Sequence, residues 1–162
     1  MLASAAMRLG GLLIVALLAS LGAPAAASAL VQVDRGIAGA RLGSSRAEVR
    51  AALGAPRTAR SGTNDFGDFS RWTYRGGITV LFQGRAEVSS VSTTGRGDRT
   101  ARGVGVGSSE QAVRRRVRGI RCETIVGSRS CHTGRFTAGE IITDFVIRGG
   151  TVRRISVGRV LD

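Results

Sequence analysis

An ungapped offset of 64 residues lays the second half of this chain over its first, and that self-similarity limits the possible folds more than any other feature. Leu42-Gly-Ser-Ser-Arg-Ala-Glu-Val-Arg50 falls over Val106-Gly-Ser-Ser-Glu-Gln-Ala-Val-Arg114. Further on, Arg71-Trp-Thr73 meets Arg135-Phe-Thr137, Ile78-Thr79 meets Ile142-Thr143, and Val88, Val91 and Ser92 meet Val152, Ile155 and Ser156. A correspondence this long implies a supersecondary unit copied once. The expected organisation is a first repeat over 30–98 and a second over 99–162, together one compact domain.

Each half opens on helix signals. Ser45 with Glu48 three residues on forms a capping box, Ala47, Val49, Ala52 and Leu53 supply the apolar face, and Gly54 followed by Pro56 stops the helix. In the second half Ser108 or Ser109 can cap, and Val113, Val117 and Ile120 recur as one stripe. Strands are predicted over 70–75, 78–83 and 87–93, and over 140–148 and 152–157, with a further one near Cys131 to Phe136. The predicted fold class is α+β: two tandem helix-plus-antiparallel-sheet repeats forming one continuous sheet with helices on one face. Trp72, Tyr74, Ile78, Val80 and Phe82 belong to the covered face. The opposite face is assigned Arg71, Thr73, Arg75 and Leu81, with Thr143, Phe145 and Ile147 from the second half. Exposed hydrophobes rimmed by arginine are what a protein-contact surface offers.

Residues 1–29 carry a secretory signal peptide: Arg8, an apolar run from Leu9 to Leu21, then Gly22, Pro24 and the small-residue site Ala27-Ser28-Ala29. The run is shorter than the ~20 residues of a spanning helix, and no later segment is long enough to cross a bilayer. No cysteine near the site supports lipid attachment. The protein is therefore expected to be extracytoplasmic, either extracellular or periplasmic. In that setting Cys122 and Cys131 read as a disulfide; one histidine and two cysteines fall short of a four-ligand zinc site.

The net charge is +13, and every one of the 24 basic residues is arginine. That bias, with abundant alanine and glycine, points to a GC-rich genome. The arginines are scattered, and an exported protein seldom meets nucleic acid, so acidic proteins or anionic envelope polymers are the expected partners. Gly103-Val-Gly-Val-Gly107 lacks the lysine of a phosphate-binding loop. His132 is the only histidine and follows Cys131 directly, and no nucleophile-elbow context accompanies any serine. No catalytic residue, cofactor or metal site is predicted.

Leu42-Gly-Ser-Ser-Arg-Ala-Glu-Val-Arg-Ala-Ala-Leu-Gly-Ala-Pro56, followed by Ser70-Arg-Trp-Thr-Tyr74 and Ile78-Thr-Val-Leu-Phe82, resembles the bacterial outer-membrane assembly lipoproteins of the SmpA/OmlA type. Two such units in tandem behind a signal peptide are similar to the β-lactamase inhibitor proteins. The resemblance implies a concave sheet that grips a loop of another protein. The expected function is a secreted, non-enzymatic protein-binding or inhibitory module using an exposed sheet face. The alternative is a cationic envelope-associated structural protein bound to anionic cell-surface polymers.

Overall fold

The computed structural model describes residues 30–84 and 87–161; the signal peptide expected over 1–29 lies outside the described residues. The described residues are mostly β, with two short α-helices. Eight strands form one antiparallel sheet in the order β4 (Thr58–Asn64), β5 (Gly67–Thr73), β6 (Ile78–Gln83), β7 (Val88–Thr93), β12 (Thr151–Arg159), β11 (Ile141–Arg148), β10 (Ser128–His132), β9 (Arg121–Ile125). The labels β1 (Leu30–Gln32), β2 (Gly36–Ile37), β3 (Ala40–Arg41) and β8 (Arg99–Thr100) denote a second, mixed sheet of four short strands, in which β8 runs parallel to β1. The α+β expectation of two equivalent helix-plus-sheet repeats is therefore corrected. Three strands of the small sheet come from residues before 42, and the later half of the chain contributes only β8.

Local features do recur 64 residues apart. The Gly43 N–H donates to Val88 O and the Gly107 N–H to Val152 O, each at a helix entry. Helix α1 (Arg46–Leu53) starts on Ser45, whose hydroxyl accepts from the Glu48 N–H while the Glu48 carboxylate accepts from the Ser45 N–H. Gly54, at φ 76°, ends it. Helix α2 (Glu110–Arg116) is capped by Ser109 alone.

Both helices and the small sheet cover one face of the large sheet. Val49 of α1 and Val113 of α2 are fully buried in a single core with Val31, Ile37, Trp72, Val80, Phe82, Phe145, Ile155 and Val157. Arg46 and Arg50, one turn apart on α1, lie over the rings of Phe82 and Trp72 at 5.3 and 4.8 Å, so charged side chains roof the aromatic pair. Gly36 is required where β2 meets β3: a Cβ there would sit 2.1 Å from Ala40 O.

Two polar links tie the covering layer to the large sheet. In the turn after β1, Asp34 Oδ1 accepts from the hydroxyls of Thr133 and Thr143 at 2.5 and 2.8 Å, while its own N–H donates to Thr143 Oγ1 at 2.6 Å. At the start of α2, Glu110 takes Arg114 and Arg129 together, at 2.9 and 2.5 Å. These hydrogen bonds, Arg129's first, hold the Glu110 carboxyl below the usual range. Cys122 and Cys131 are direct cross-strand partners on β9 and β10 and form a disulfide at the end of the core face beneath α2. The Glu110 carboxylate lies near these sulfurs, but their covalent bond leaves no thiolate pair to bind a metal.

Candidate protein-contact face

Among the described residues the other face of the large sheet carries no helix. Strand alternation places one residue of every strand in a transverse row on it: Thr58, Thr73, Thr79, Ser92, Ser156, Asp144, His132 and Arg121, each directly opposite the next. A second row runs Arg60, Arg71, Leu81, Ser90, Gly158. Between and beside them lies a hollow of about 580 Å³. Its lining combines Arg71 and Arg154 with the hydroxyls of Thr73, Thr79, Ser90, Ser92, Thr94 and Ser156, and with half-buried Leu81. Among the described residues no carboxylate lines it.

Of the residues expected on this face, Arg71, Thr73 and Leu81 are there. Arg75 is exposed, but it lies in the 3-10 turn Arg75–Gly77 beyond the end of β5. Thr143, Phe145 and Ile147 are corrected to the opposite, buried face: Phe145 pairs with Ile155 and Cys131 in the core, Ile147 pairs with Val152, and Thr143 is the partner of Asp34. The cause is hairpin length. Five residues, 83–87, separate the paired Phe82 and Val88, whereas four, 148–151, separate Ile147 and Val152. One residue of difference exchanges the two faces of β11 relative to β6, because side chains alternate with period two. Asp144 and Val146 thus stand where the 64-residue offset would put core residues.

Sequence reasoning assigns none of Asp144, Ser130 and His132 to this face. Asp144 is half-buried on the open face, and its Oδ1 has no hydrogen-bond partner among the described residues. Burial pushes its carboxyl above the usual range, against the opposing pull of a Ser130 hydrogen bond and the charges of Arg154 and His132. His132 is fully buried under Phe136, with ring centroids 4.5 Å apart. Its Nε2 lies 2.7 Å from the Glu123 carboxylate and its Nδ1 3.3 Å from Thr133 O. Among the described residues neither ring nitrogen meets a serine hydroxyl or a thiol, so the cluster does not assemble a nucleophile and base.

Because the folded-state pKa of Asp144 is raised, its favourable contribution is complete below the unfolded carboxyl pKa and is lost as pH rises through the folded value. Asp144→Asn is accordingly expected to stabilise the protein at pH 7 by about 1 kcal/mol. Thermal melts of the two proteins should converge as the pH is lowered. A variant less stable than the parent at pH 7 would show that the ionised carboxylate has a stabilising partner.

The comparisons with known proteins bear on the fold. The extracellular SCP-domain protein of Bacillus anthracis matches with a TM-score of 0.50 at 7% identity, over 73% of this chain and 44% of its own. The YfeY protein of Escherichia coli, described as uncharacterized, matches with a TM-score of 0.51 at 15% identity, over 78% of this chain and 97% of its own. YjgB of Bacillus subtilis, a DUF4309 family protein, gives 0.46 at 17% identity over 72% and 78%. This chain spans under half the length of the Bacillus anthracis protein. No family model matches the sequence, and no curated protein matches it. The resemblance to SmpA/OmlA lipoproteins and β-lactamase inhibitor proteins is corrected: neither group is matched, and the similarity in fold is to the proteins above. The helix run and the two strand segments that suggested it are local features, and they do not determine the eight-stranded sheet. The Cys122–Cys131 disulfide is consistent with an extracytoplasmic location.

Proposed function

We propose that this protein is an exported, non-enzymatic binding module that holds an acidic segment of another exported protein in the open-face hollow. The observation that carries the proposal is the composition of that hollow: two guanidinium groups and six hydroxyls around one leucine, with no carboxylate among the described lining residues. Guanidinium forks match carboxylates in two-point hydrogen bonds. Serine and threonine hydroxyls both donate and accept, so the transverse row can meet the backbone of an extended segment lying across the strands. The net charge of +13 speeds the approach of an acidic partner without choosing it.

The test separates the hollow from bulk charge. Binding of a glutamate-rich peptide is measured at fixed ionic strength for the parent, for Arg71→Ala/Arg154→Ala, and for Arg115→Ala/Arg118→Ala, which loses the same charge from exposed residues of α2 and the turn after it. The first variant is expected to bind at least about tenfold more weakly, and the second to stay within about twofold of the parent. Equal losses in the two variants, or no saturable binding by the parent, would sink the proposal.

A further inference from the structure

Strand β12 contains a bulge. Val146 pairs with Arg154 and Ile147 with Val152, leaving Arg153 as the extra residue without a partner. At this bulge two consecutive arginines line different hollows: Arg154 lines the open-face hollow, whereas Arg153 lines a separate hollow of about 470 Å³ beside the entry to α2. There it joins Arg96 and Arg99, with Gly107, Ser108 and Thr151.

We propose that this second hollow binds a ligand through a phosphate group. None of its three arginines takes part in a salt bridge among the described residues. Asp98, the acidic neighbour of Arg99 in sequence, is buried and accepts a hydrogen bond from Thr93. Two of the guanidiniums are tethered by backbone carbonyls, Arg99 Nη1 to Gly103 O at 3.1 Å and Arg153 Nε to Arg148 O at 3.4 Å, and each keeps further N–H donors free. Ser108 Oγ accepts from the Gly105 N–H, so its own O–H remains available to donate. Three positive charges and a hydroxyl exceed what one carboxylate can satisfy. They suit the double charge and three terminal oxygens of a phosphate ester. The hollow is larger than a phosphate alone and leaves room for the group esterified to it. The glycine run before α2 contributes only Gly107, so side chains rather than a backbone cradle would do the binding.

Titration of the mature chain with inorganic phosphate and with glycerol 3-phosphate, at constant ionic strength, tests the site. The parent should bind both saturably, Arg99→Ala/Arg153→Ala should bind at least tenfold more weakly, and Arg71→Ala/Arg154→Ala should bind like the parent. The two double variants lose equal charge, so failure here is distinguishable from failure of the open-face proposal. Vesicles containing phosphatidic acid, whose headgroup is a phosphate monoester, identify the source. Retention that depends on Arg99 and Arg153 assigns a lipid headgroup, and binding of glycerol 3-phosphate without retention assigns a soluble ester; either upholds the site. No saturable binding, or equal weakening in both double variants, overturns it.

Discussion

Phe145→Ala is expected to lower the stability to unfolding by about 3–5 kcal/mol, as truncation of a fully buried phenylalanine does. Phe145 has no exposed surface and stands between Ile155 and Cys131 in one core row of the sheet. Its removal would leave a cavity walled by paired strands that cannot close inward. Leu81→Ala is the contrast: the side chain is half-buried on the open face and should cost about 1 kcal/mol or less. Urea titrations of both variants decide the face assignment. A Phe145→Ala protein within about 1 kcal/mol of the parent would mean that β11 presents its other side to the core.

The second large effect is loss of the disulfide. Cys122 and Cys131 are nine residues apart, and closing so short a loop is worth ~2–3 kcal/mol through the entropy of the unfolded chain. The loss should be concentrated at one edge, since the bond joins β9, the last strand of the sheet, to β10. The double variant Cys122→Ala/Cys131→Ala should melt lower than the oxidised parent. Its β9 amides should exchange faster with solvent, while those of β6 and β7 stay protected. Uniformly faster exchange would instead show that the bond holds the whole core.

What the sequence disclosed was local. The capping box at Ser45 and Glu48, the cap at Ser109 and the glycine stop at Gly54 fix short-range hydrogen bonds that adjacent residues alone determine. Strands with alternating burial, such as Ile78–Gln83, declared themselves through that alternation. Strand β4, Thr-Ala-Arg-Ser-Gly-Thr-Asn, is exposed throughout and has no apolar pattern to reveal it; only its pairing with β5 makes it a strand. β9 is likewise mostly exposed, and β1, β2, β3 and β8 are too short to show a period. The open face was half legible. Arg71, Thr73 and Leu81 follow from the phase of β5 and β6, but the phase of β11 depends on a hairpin one residue shorter. Asp144 gave no signal, because a carboxylate flanked by Thr143 and Phe145 in sequence is ordinary until its neighbours across the strands are known.

That one-residue difference between hairpins also bears on how such a chain can diverge. Adding or deleting a single residue in the 148–151 turn would tend to turn Phe145 and Ile147 toward water and Asp144 toward the core, unless a new bulge absorbed the shift. A change of two residues preserves the phase and leaves the core intact. Length variation here is therefore constrained by parity more than by extent. Descendants of this sequence would be expected to keep or lose turn residues in pairs, with a compensating bulge marking each exception.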